Sequence, residues 1–169
     1  MEDQRYSSLI IESLRSWPEE DKEIISEGII LMDLHREIEM FAEVIGSRRG
    51  LSARQMEILE ILYNHPEKQL TPAQLADKVH LTRSTMTGNL DTLQDRGYIS
   101  RDSHPNDRRM ISINLTKEGA EFCKKTIPQR YSDILKVMKV MTNEERYHLK
   151  IIYTKLLNFI KKLATEDSN

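Results

Sequence analysis

The stretch from Thr71 to Thr116 constrains the fold of this chain more than any other part of it. Thr71-Pro72-Ala73-Gln74 is a helix start: a threonine cap, proline at the first helical position and glutamine reaching back. The helix it opens is short, about two turns, and ends near Val79. His80-Leu81 makes a turn, Thr82 caps a second helix from Arg83 to Arg96, and Gly97 closes it. Tyr98-Ile99 begins a strand. Met110-Ile111-Ser112-Ile113-Asn114-Leu115 alternates polar and apolar in its later residues, the period of a half-buried strand. Ser103-His104-Pro105-Asn106-Asp107 between them is turn chemistry.

Helix, turn, helix and a two-stranded ribbon with a basic tip follow the order of a winged helix-turn-helix. That device puts one helix into a DNA groove and one loop beside it. The remainder reads as helix. Pro18 followed by Glu19, Glu20 and Asp21 opens a long helix that is expected to stop at Gly46. Ser52-Ala53-Arg54-Gln55 caps another, which Asn64-His65-Pro66 ends. A helical region follows Thr116, and Pro128 is expected to kink or interrupt it. Thr142-Asn143-Glu144-Glu145 opens the last helix. Leu9, Ile10, Ile11 and Leu14 suggest a short N-terminal helix or arm. The expected fold is therefore mainly α with a small β-wing. Residues 1–46 form an arm and a long dimerisation helix, 47–116 the winged lobe, and 117–169 C-terminal dimerisation helices.

Charge is segregated along the chain. The formal net charge is only −2, yet residues 1–46 hold four basic against twelve acidic side chains, while residues 80–117 hold six basic against four acidic. A local basic face is what nucleic acid responds to, so the near-neutral total does not exclude it. No apolar run approaches the ~18 residues of a membrane span. The N-terminus lacks a basic start followed by a long apolar core, and a single cysteine, Cys123, excludes an internal disulfide. These features predict a cytoplasmic protein without membrane association. No glycine-rich phosphate loop, nucleophile motif or paired metal spacing among His35, His65, His80, His104 and His148 is present, so neither an enzyme, a cofactor nor a metal is expected.

Several of these residues carry a resemblance. Thr85-Met86, Leu93, Gly97-Tyr98-Ile99, Asp107-Arg108-Arg109 and Thr116-Lys117-Glu118-Gly119 stand at the spacing of the multiple-antibiotic-resistance regulator (MarR) family, and the chain resembles that family over nearly its whole length. The resemblance implies a homodimer in which the first helix and the last two interlock. An independent argument agrees. Leaving Ile151, Leu156, Phe159 and Ile160 exposed would cost about 1.5–3 kcal/mol each, and a dimer interface is the simplest remedy.

The helix from Arg83 is the candidate recognition helix. Thr82, Ser84, Thr85 and Thr87 offer short hydroxyls near its N-terminus, suited to phosphates or base edges. Asn89 could read adenine, and Arg83 could grip guanine or a phosphate. Many members carry arginine where this chain has Gly88, a residue that costs about 1 kcal/mol inside a helix. Close backbone approach to the groove wall is the expected reason. Gln94, where acids are frequent in the family, is given no function. In the wing, the resemblance implies that Arg109 enters the minor groove and Asp107 orients it. Arg108 and Arg101 are expected on phosphates. Two-fold symmetry predicts a pseudo-palindromic operator with half-sites about one turn, ~10 bp, apart.

Family members usually lose DNA affinity when a small molecule enters the cleft between dimer helices and lobe. Trp17, Met32, His35, Met56 and Tyr63 lie on segments that could line it. The extension with Trp17 looks like that of longer members that sense phenolic or aromatic compounds, which predicts a repressor released by such a ligand. Glu57 and Asn64 stand where a urate sensor would have aspartate and arginine, so urate is not expected. Two alternatives stay open: a winged helix that binds protein instead of DNA, and redox sensing through Cys123, whose neighbours Lys124 and Lys125 could favour thiolate.

Overall fold

The computed structural model describes residues 10, 12–104 and 107–166, with the backbone alone at residues 12, 15, 104 and 107–110. A short 3-10 helix, Glu12–Ser16, precedes α1 (Glu19–Ser47). Then come α2 (Ala53–Asn64), β1 (Gln69–Leu70), α3 (Pro72–Val79), α4 (Arg83–Asp95), β2 (Ile99–His104), β3 (Asp107–Leu115), α5 (Lys117–Met138) and α6 (Asn143–Glu166). The fold is mainly helical with a small β-wing, as the sequence implied.

Local chemistry sets most helix starts. Pro18 is the N-cap of α1, and Glu19, Glu20 and Asp21 fill its first turn, where the helix dipole favours acids. Ser52 and Gln55 form a reciprocal capping box on α2, as do Thr71 and Gln74 on α3. The Thr82 hydroxyl accepts from the Thr85 N–H at 3.2 Å to start α4. At α6, the Thr142 N–H donates to Glu145 at 2.6 Å and the Glu145 N–H donates to Thr142 at 3.2 Å. Each box satisfies amide donors that a helix leaves orphaned.

Four expectations need correction. Gly46 does not stop α1, which continues to Ser47; the turn that follows is made by Gly50, at φ +85°. Pro128 does not interrupt α5, which is continuous from Lys117 to Met138. Proline there removes one amide donor, and the residue lies on an exposed face where water can serve the freed carbonyl. The ribbon is a three-stranded sheet in the order β1-β3-β2, all antiparallel. Gln69 and Leu70 pair with Asn114 and Ile113 and so close the base of the wing onto the lobe. Strand β3 also begins at Asp107, earlier than the alternation from Met110 suggested.

Contacts divide the chain into two compact units, Met1–Cys123 and Lys124–Asn169. In the first, Leu51, Met56, Ile58, Leu59, Leu62, Leu75, Met86, Leu90, Leu93, Ile113 and Cys123 are fully buried. They come from the turn before α2, from α2, α3, α4, β3 and the start of α5, one core around which the winged lobe is built. The Thr116-Lys117-Glu118-Gly119 segment shows why its residues are needed. Thr116 donates its hydroxyl to the Gly97 carbonyl at 2.7 Å and accepts from the Gly119 N–H at 3.0 Å. A Cβ on Gly119 would stand 2.1 Å from the Tyr98 carbonyl oxygen, so only glycine lets α5 approach β2 this closely. Tyr98 and Phe122 stack beside it at 4.5 Å.

Candidate nucleic-acid interface

Helix α4 has two unlike faces. Met86, Leu90 and Leu93 are buried, and their spacing fixes the rotation of the helix against the core. Away from them Ser84, Thr85, Thr87 and Gly88 are exposed, and Asn89 is half-buried at the border; Arg83, in line with Met86 and Leu90 by helical period, is exposed at the first position of the helix. The sequence-predicted recognition residues are therefore brought together on one open, polar surface.

Hydrogen bonding on that surface is specific. Thr82 shares its hydroxyl with Ser84 at 3.1 Å and Thr85 at 2.8 Å, a cluster at the positive end of the helix. Thr87 donates to the Arg83 carbonyl at 3.0 Å, and Thr92 to the Gly88 carbonyl at 3.1 Å. Asn89 donates its amide to the Thr85 carbonyl at 2.9 Å. Its amide oxygen remains the natural acceptor for an adenine amino group. A Cβ on Gly88 would meet nothing within 4 Å, so nothing inside the chain requires glycine there.

In the wing, Arg101 of β2 donates from Nη2 to Oδ1 of Asp91 on α4 at 2.6 Å. On the other side of β2, Asp102 accepts from Ser100 at 3.0 Å and from Asn114 of β3 at 2.7 Å. Asp91 was not among the residues singled out in the sequence. An acid on the outward stripe of Ser84 and Gly88 was the signal that could have found it. The side chains of Asp107, Arg108 and Arg109 lie outside the described residues.

Glu43 of α1 was also missed. Both its carboxylate oxygens accept from the Ala53 N–H, at 3.0 and 3.3 Å, which anchors α1 on the positive end of α2. The five residues considered for a ligand cleft are placed differently from one another. Trp17 and Met32 are exposed, and His35 is exposed beside Glu39 at 3.6 Å. Tyr63 lies under the Lys68 ammonium, 4.6 Å from its ring centre, while Met56 is 2% exposed within the lobe core. A shallow open groove along α6, lined by Tyr147, Lys150, Ile151, Thr154, Lys155 and Asn158, includes none of them. Among the described residues no cluster of His, Cys, Asp and Glu is placed to hold a metal ion, and no helix is long and apolar enough to cross a membrane.

Cys123 is fully buried and donates its thiol to the Leu59 carbonyl at 3.7 Å. Burial, reinforced by the Glu60 carboxylate and opposed by Lys68, pushes the thiol up from about 9 to about 11. That suppresses the thiolate on which oxidant sensing depends and leaves Cys123 a small apolar core residue.

Residues 51–111 match the family model described as MarR family. The HTH-type transcriptional repressor YetL of Bacillus subtilis is 35% identical over 116 residues, which cover 69% of this chain and 70% of YetL. The chain belongs to the MarR family. It is a DNA-binding transcriptional regulator of winged helix-turn-helix type and not an enzyme. Solved structures of the same fold include AbsC, a MarR family transcriptional regulator from Streptomyces coelicolor. It aligns with a TM-score of 0.73 at 16% identity, over 86% of this chain and 98% of AbsC. Sco3205, a MarR family regulator from the same organism solved in complex with DNA, aligns at 0.71 and 21% identity, over 83% of this chain and 88% of its own.

Proposed function

We propose that this MarR-family protein is a homodimeric repressor. It binds a pseudo-palindromic operator through α4 and the wing and leaves it when a small aromatic or phenolic ligand binds. The observation that carries the DNA reading is the exposed surface of α4, formed by Ser84, Thr85, Thr87 and Gly88 with Arg83 at its first position, all exposed among the described residues. Groove binding also supplies a reason for Gly88, whose missing side chain answers to no neighbour within the chain. Repression is supported by the likeness to YetL, and DNA binding agrees with the shared fold of Sco3205, which was solved in complex with DNA. The dimer is supported by the apolar side chains that α1 and α6 leave in water, among them Ile24, Leu31, Phe41, Ile151, Leu156 and Phe159. The ligand class rests on the family resemblance and on an exposed Trp17.

The assignment of Arg109 to the minor groove, with Asp107 orienting it, belongs to the same proposal. The test is Arg109→Ala, titrated against an operator duplex at several salt concentrations. The expected result is weaker binding with a log–log salt slope shallower by about 0.9, the loss of one neutralised phosphate's worth of counterion release, at unchanged folding. An unchanged affinity and slope would remove Arg109 from the interface.

A further inference from the structure

The outward surface of α4 carries an acid where a DNA-binding helix should avoid one. Asp91 follows Thr87 by four residues and Gly88 by three, so it shares their face. Its side chain is 53% exposed. A free carboxylate there would repel phosphates and weaken every duplex complex. Arg101 answers it with an ion pair at 2.6 Å. The register of the ribbon explains how it can. Arg101 pairs with Ile113 and follows Ile99 by two residues, so all three share the sheet face turned toward the core. Ile99 and Ile113 are buried. Arg101, farther along the ribbon, stands where that apolar row gives out, and its 29% exposed side chain reaches across to α4.

We propose that Asp91 is a positioning residue. It holds Arg101 as a strut between the recognition helix and the wing, and Arg101 thereby neutralises the helix face instead of gripping a phosphate. Arg101 sits three residues before the end of β2, so a strut at this level sets where the wing tip falls relative to α4. The spacing between helix and tip decides which base pairs the two can contact together, so the strut acts on sequence preference more than on total affinity. A partly exposed ion pair contributes little to folding, which leaves its geometry as its use. This inference rests on the reading of α4 and the ribbon as the DNA surface.

A double-mutant cycle tests it, using a duplex from the chain's own upstream region and a scrambled duplex of equal length and composition. Asp91→Asn should release Arg101 to a phosphate. Binding to scrambled DNA should then tighten, its salt slope should steepen by about 0.9, and the ratio of operator to scrambled affinity should fall roughly tenfold. Arg101→Gln should lower that ratio similarly without changing the salt slope, and the double variant should be no worse than either single one. Urea midpoints should stay together throughout. The strut is overturned if Arg101→Gln makes the slope shallower by about 0.9 while Asp91→Asn is silent, because Arg101 would then be a phosphate contact of its own. It is equally overturned if Asp91→Asn weakens both duplexes alike. A wild-type chain that binds neither duplex would overturn the DNA-surface reading itself, and the strut with it.

Discussion

The winged lobe and the terminal helices are built to opposite rules. Among the described residues, the large side chains that are fully buried all lie between Leu51 and Cys123. Helix α6, with 24 residues, buries none, and α1, with 29, buries only Asp33, a charged side chain paired with Arg36 at 2.9 Å. Both helices are nevertheless rich in Ile, Leu and Phe. The lobe is a unit whose apolar residues find partners within the chain. The terminal helices leave most of their large apolar side chains exposed. The same amino acids are core in one region and, in the proposed dimer, interface in the other.

Truncating a leucine in each region should expose that contrast most strongly. Leu93→Ala should cost about 2–5 kcal/mol, because it opens a cavity in a closed core. Its loss in urea midpoint should not depend on protein concentration. Leu156→Ala should instead make the melting temperature fall more steeply on dilution and raise the dimer dissociation constant measured by sedimentation equilibrium. Equal, concentration-independent losses at both positions would erase the distinction.

A smaller effect separates folding from binding inside the lobe. Gly88→Ala should stabilise the protein by about 1 kcal/mol, since alanine is the better helix former and its Cβ meets open space. Operator affinity should drop in the same variant, as read by gel shift. Greater stability with unchanged affinity would remove the close-approach role of Gly88.

The smallest expected signal is chemical. The folded state holds the Cys123 thiol near 11 against about 9 when unfolded. Between those values the unfolded chain loses the proton first, so rising pH costs stability over that window and not below it. At neutral pH a thiol reagent should modify Cys123 only at the rate of opening, and oxidant should leave DNA binding intact. Rapid labelling of the folded protein would contradict its burial.

These regions also differ in how far the sequence revealed them. The caps at Ser52, Thr71, Thr82 and Thr142 were legible because each bond spans three residues. The recognition face was legible because helical period separates Met86, Leu90 and Leu93 from Ser84, Thr87 and Gly88, while Arg83 is exposed as the first residue of the helix. What escaped depends on distant chain. Strand β1 is two residues long and exists only because Gln69 and Leu70 meet Asn114 and Ile113. Asp91 acquires a role only when the ribbon folds Arg101 back onto it. Gly119 looked like one letter of a motif until the Tyr98 carbonyl was placed against it. Gly46 was expected to end α1, but the helix runs on to Ser47 and the positive φ falls at Gly50 in the turn beyond.

A hydroxyl-radical footprint on the chain's own upstream DNA tests the central claim most directly, because it reports two lobes, their symmetry and their groove contacts together. The account predicts two protected patches of equal strength, related by a dyad and centred about one helical turn, ~10 bp, apart. A single unsymmetrical patch, or uniform cleavage at low salt, would contradict it.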